Sequence, residues 1–141
     1  MKLDKDCIRD ILLFTEDYCQ YYDHPQHGRQ LKCVTYILLC ESEKFSKYDK
    51  YVIYYAISKL FEGKYVLGYV IPKDAYSNFN YATIEGLTLK GHDLLDNIRP
   101  ETVWQETKSV LQRVGDFSLG IMSQVAGETM AAYTKAMMNI N

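Results

Sequence analysis

The sequence predicts an α+β fold, mostly α, with a winged-helix-like core (helix, strand, helix, β-hairpin wing) followed by two or three C-terminal helices. Two observations predict it. Residues 3–87 alternate between helical apolar spacing and short β-branched or aromatic runs, ending in two such runs around a polar loop. Beyond residue 87 every apolar stripe has helical spacing and is bounded by capping or breaking residues: Thr88, Pro100, Gly115 and Ser118. We divide the chain into a winged-helix-like core at 1–99 and a helical extension at 100–141 packed on the same domain.

Residues 3–22 read as a helix, capped by Asp4 or Asp6, with Ile8, Ile11, Leu12, Thr15, Cys19 and Tyr22 on one face. His24-Pro-Gln-His-Gly28 breaks it. Leu31–Cys40 reads as a short strand because Val34, Tyr36, Ile37 and Leu38 are β-branched, aromatic or apolar. Ser46 is a candidate cap for a helix reaching Phe61 and closed by Gly63. The winged-helix order calls for one more helix before Ser46, and a short turn in 41–46 would supply it. Tyr65–Ile71 and Ala82–Leu87 read as strands joined through the polar loop Pro72–Tyr81. Thr88 caps a helix through Ile98, and Pro100 suits the first turn of the next, where its missing N–H costs nothing. Ser118 caps a last helix to about Met138, with Met122, Ala126, Met130, Tyr133 and Met137 along one side.

The chain has 141 residues, ample for a sizeable core without staples. Its four cysteines show no C-x-x-C spacing, and no leader-like apolar run opens the chain. Free thiols in a reducing, cytoplasmic setting are expected. No stretch approaches the roughly 20 apolar residues that span a bilayer. Thirteen tyrosines stand beside five phenylalanines and one tryptophan. Half-buried tyrosines, with ring packed and hydroxyl wet, suit either a contact surface or a core margin. Charge is segregated: residues 44–73 carry six lysines against Asp49 and Glu62, a net +4, while the whole chain is −2. The rest of the chain therefore carries −6.

The run Gly86-Leu-Thr-Leu-Lys-Gly-His-Asp-Leu-Leu-Asp-Asn-Ile-Arg99, followed by Thr102-Val-Trp-Gln-Glu-Thr-Lys108, resembles a family of small bacterial and phage proteins of unknown function, domain-of-unknown-function family 2513. The opening Met1–Leu13 and the stretch Tyr54–Leu60 are similar to it as well, although Tyr55 stands where that family usually has histidine. The resemblance covers most of residues 1–115. It implies a winged-helix-like domain carried by phages and mobile elements, and it supplies no catalytic residues.

Chemistry-bearing clusters are few. Cys19, His24, His27 and Cys33 lie within fifteen residues and are ligand types that zinc takes. Their spacing is not that of a standard finger, so neither a metal nor any other cofactor is expected. His92 beside Asp93 and Asp96 has the composition of a general base, but a structural histidine explains it as well. No P-loop, dinucleotide fingerprint or nucleophile–base pair is present, and no enzymatic activity is expected. The middle helix is the best candidate surface. With about 100° per residue, the face opposite Ile53, Ala56, Ile57 and Leu60 carries Lys47, Tyr51, Tyr54, Tyr55 and Ser58. Lys50 and Lys59 complete it, and Lys64 and Lys73 flank it from the hairpin. Such a face fits duplex DNA, with lysines on phosphates and a helix in the major groove. The absence of arginine from that helix weakens guanine readout. The alternative is a host or phage protein partner docked on the tyrosines. The methionine-bearing last helix suits a homodimer contact.

Overall fold

The computed structural model describes residues 1–71, 81–115 and 118–139. The 72–81 wing loop and Lys73 fall outside the described residues, save the backbone of Tyr81. The chain is mostly helical α+β, as the sequence predicts.

The first helix, α1, covers Lys5–Tyr18, with the Asp4 carboxylate accepting from Cys7 N–H at 2.9 Å. It is shorter than the predicted 3–22. Cys19 turns extended, and the next residues pair as a hairpin, β1 (Tyr21–His24) with β2 (Gly28–Leu31). The presumed breaker at 24–28 is this hairpin's turn. Gly28 takes φ +72 there, a left-handed conformation that glycine adopts without strain. Tyr22 continues the helical spacing by coincidence and is solvent-exposed.

The predicted strand 31–40 is also corrected. Only Val34–Thr35 (β3) pairs with the sheet, and Tyr36–Glu41 form a helix, α2. The Thr35 hydroxyl decides this by accepting from Leu38 N–H at 3.1 Å, a helix cap in the middle of the β-branched run. Tyr36 and Leu39 then lie three residues apart on the buried side. A single 3-10 turn follows at Glu43–Phe45. The helical element expected in 41–46 thus starts earlier, at Tyr36, and only its closing 3-10 turn lies in that range. The middle helix, α3, covers Lys50–Glu62 and is capped by Asp49, not Ser46. The Asp49 carboxylate accepts from Tyr51 N–H at 2.8 Å, and Ser46 sits in the preceding turn.

Strands β4 (Val66–Ile71) and β5 (Tyr81–Leu87) complete an antiparallel sheet of order β3-β5-β4. Three helices follow: α4 (Leu89–Ile98), α5 (Glu101–Val114) and α6 (Leu119–Met138). Thr88 and Ser118 cap α4 and α6 as predicted, and Pro100 stands at the N-cap position of α5, one residue before the first turn assigned to it, without a side-chain cap bond. One core cluster joins Ile8, Ile11 and Leu12 of α1, Ile57 and Leu60 of α3, Ile84 of β5 and Leu95 of α4. It continues through Trp104 of α5 and reaches Leu119, Met122 and Ala126 of α6.

Polar contacts lock α1 to the α4–α5 corner. The Arg9 guanidinium donates to the carbonyls of Ile98 at 2.9 Å and Arg99 at 2.8 Å. Trp104 Nε1 and Lys108 Nζ both donate to one Asp6 oxygen at 3.1 Å. Arg99 bridges Glu16 and Asp96. The Arg99 hydrogen bonds hold the Glu16 carboxyl below its usual range. Its stabilisation is therefore present above the unfolded carboxyl value, near 4.5, and lost as pH falls through the lower folded value. Melting temperatures recorded between about pH 6 and pH 3 are expected to fall less in Glu16→Gln than in the parent, because the variant carries no titrating group there. Equal slopes would show that the pair contributes nothing, as is common for exposed ion pairs.

Candidate functional site

The apolar positions of α3 set what its outer face presents. Ile53, Ala56, Ile57 and Leu60 are buried, which turns Tyr51, Tyr55 and Ser58 outward. Tyr51 is 60% exposed and the Lys50 ammonium lies 5.1 Å from its ring centre. The Lys50 carbonyl accepts from the Tyr36 hydroxyl at 2.8 Å, which pins the first turn of α3 to α2. The Lys59 ammonium sits 5.4 Å from the Tyr55 ring centre and 2.9 Å from a Glu62 oxygen. Glu62 raises the Lys59 pKa through that hydrogen bond. The Ser58 hydroxyl donates to the Tyr55 carbonyl at 2.7 Å, which leaves its oxygen free to accept.

Other predicted members lie off this face. Lys47 is in the turn before α3, 3.4 Å from the Asp10 carboxylate and 5.2 Å from the Tyr48 ring centre. The same Asp10 oxygen accepts from Tyr48 at 2.6 Å, and burial with this bond pushes the Tyr48 phenol well up. Tyr54 leans inward, 5.6 Å from the Tyr36 ring centre, and packs on the core. Lys64 is exposed just past α3, in a left-handed conformation with φ +62, and its carbonyl accepts from Thr88. The surface thus gathers Lys50, Tyr51, Tyr55, Ser58 and Lys59, with Lys64 beyond its C-terminal end.

A cleft of about 1000 Å³ opens beside the second half of this helix. Tyr55, Lys59 and Glu62 border it from α3, Lys2 and Lys5 from the N-terminal segment, and Gln112 from α5. Sequence reading missed it. Its lining comes from three distant stretches, and no local spacing signals that they meet.

The zinc-type set does not assemble. His24 and His27 stack at the hairpin turn with ring centres 4.6 Å apart. Cys19 and Cys33 flank the other end, five residues away, or about 16 Å at 3.3 Å per residue. Among the described residues no group of three or more metal-ligating side chains converges. His92 and Asp93 are exposed on α4, and Asp96 is engaged by Arg99. The α6 stripe is split: Met122 is buried, whereas Met137 is 54% and Met138 76% exposed. No helix among the described residues is long and apolar enough to cross a membrane.

No curated protein and no solved structure matches the chain. The model of one family, described as "Hypothetical protein (DUF2513)", matches residues 2–116. That span holds α1 through α5, the α3 face and every contact of the α1 lock, and the chain belongs to this family.

Proposed function

We propose that the protein is a winged-helix DNA-binding regulator of the phage or mobile-element type that presents α3 to the major groove. The observation that carries this reading is the outer face of α3. Two lysines flank the exposed Tyr51, the half-buried Tyr55 and a half-buried serine acceptor, on the helix that directly precedes a two-stranded hairpin. With the β1–β2 hairpin as an insertion after α1, the order α1, β3, α2 with its 3-10 turn, α3, β4, β5 and the sheet order β3-β5-β4 support this reading, since in a winged helix the helix before the hairpin commonly enters the groove. Lys50, Lys59 and Lys64 would hold phosphates. Ser58 Oγ and the Tyr51 and Tyr55 hydroxyls would face base edges. Lys47 and Lys59 contribute less, because Asp10 and Glu62 already pair with them.

Anisotropy with random-sequence duplex at about 50 and 200 mM salt tests the reading, since phosphate contacts make affinity fall steeply over that range. Binding that collapses with salt is expected. Lys50→Ala and Lys64→Ala should each flatten the salt slope by about one unit, and Lys47→Ala by less. Unchanged affinity in a K47E/K50E/K59E variant overturns the assignment.

A specific observation favours a second reading. Two of the predicted phosphate contacts, Lys47 and Lys59, are already ion-paired within the chain, while Tyr51 stands out in solvent. A non-enzymatic module that docks a protein on these rings needs no net positive field. Absence of duplex binding at the lower salt would select it.

A further inference from the structure

The β1–β2 hairpin has one register throughout: Tyr21 faces Leu31, Asp23 faces Arg29 and His24 faces Gly28. The Lys32 N–H donates to the Gln20 carbonyl at 2.9 Å, so the ladder runs one pair beyond the strands. Carried one pair further, the same register sets Cys19 opposite Cys33. Hydrogen-bonded and non-hydrogen-bonded pairs alternate along an antiparallel ladder. Gln20 and Lys32 make one of the two bonds of the first kind, which sets Cys19 and Cys33 in the second. Residues so paired have Cα atoms about 4.5 Å apart and side chains on one face. A disulfide needs a Cα separation of about 4.4–6.8 Å.

A separate contact places the sulfur. The Cys19 thiol donates to the Ile84 carbonyl at 3.5 Å, and Ile84 pairs with Val34, the residue after Cys33. Cys19 Sγ therefore points toward the chain segment that carries Cys33. Both cysteines are free thiols.

We propose that Cys19 and Cys33 form a modification site at which a hydroperoxide closes a cross-strand disulfide. One thiolate attacks a peroxide oxygen, the O–O bond breaks, and a sulfenic acid and hydroxide result. The second sulfur attacks the first, the S–O bond breaks, and water leaves. Two thiols lose two protons and two electrons, and one hydrogen peroxide takes them up to become two waters. Burial, with Glu85 adding to it, raises both thiols above their ordinary range. Thiolate is thus scarce near neutral pH, and the site suits slow stoichiometric oxidation rather than turnover. The bridge ties the end of α1 to the start of β3 and fixes the base of a hairpin whose strands are largely exposed.

The test uses the full chain with Cys40→Ser, which removes the exposed thiol. Excess hydrogen peroxide is expected to remove two hydrogen masses, with Cys19 and Cys33 in one cross-linked peptide. The melting temperature should rise and return to its starting value with dithiothreitol. C33S/C40S, verified as folded by circular dichroism, should gain oxygen mass and show no rise. Loss of two hydrogens in C33S/C40S would overturn the proposal. So would oxidation of the C40S chain to sulfinic acid at these residues, or retention of both as free thiols.

Discussion

Trp104→Ala is expected to lower the unfolding free energy by about 3–5 kcal/mol, the range for removing a buried tryptophan. The indole is 1% exposed and belongs to the central cluster. It is also the hinge of the α1 lock. Its Nε1 reaches Asp6 at 3.1 Å, and the Arg9 and Lys108 cations lie 5.6 and 5.5 Å from its ring centre. Removal leaves a cavity and takes one of two donors from Asp6. Trp104→Phe separates these effects: it retains most of the packing and forfeits a hydrogen bond to a charged group, about 1.5–3 kcal/mol. Urea unfolding measures both through the midpoint, with the slope unchanged. A loss under about 1 kcal/mol in Trp104→Ala would contradict its place in the core.

Gly91→Ala should cost about 2–3 kcal/mol, although alanine favours a helix by about 1 kcal/mol. A Cβ at residue 91 would lie 2.0 Å from the Tyr65 carbonyl oxygen. That oxygen is backbone at the start of β4 and also accepts from Thr88 N–H at 3.1 Å, so it cannot swing aside as a side chain would. The first turn of α4 must lift from the sheet. Faster hydrogen exchange of the Thr88 amide would report this directly. Gly127→Ala is the control. Its Cβ meets nothing closer than Asn97 Nδ2 at 3.7 Å, and in the middle of α6 it should gain about 0.5–1 kcal/mol. Equal effects at the two glycines would mean that propensity, not the close approach, governs residue 91.

Much of this architecture was legible in the chain because its signals are local. Thr88 and Ser118 act through a side chain, Pro100 through a missing N–H and Gly115 through its φ of +91, all within one turn, and the helices start or stop there. Residues 19–41 misled for the opposite reason. The run at 34–38 has strand composition, yet one hydroxyl at Thr35 starts a helix within it. The strands at 21–31 lack a buried face and hence any alternation to read. The candidate surface was half legible. Periodicity identified Tyr51, Tyr55 and Ser58 as outward. It could not reveal that Asp10, on another helix, neutralises Lys47, or that Tyr36 draws Tyr54 inward. The run containing Gly91, Arg99, Trp104 and Lys108 was recognisable as a family mark, and its contacts explain it as architecture: a close helix–strand approach, a corner clamp and a shared carboxylate.

The family match ends at residue 116, whereas the apolar cluster continues through Leu119, Met122 and Ala126. The end of the matched span is therefore not the end of the folded core. A fragment cut at the edge of the common region would keep every family mark and bare the seat that the first turns of α6 occupy.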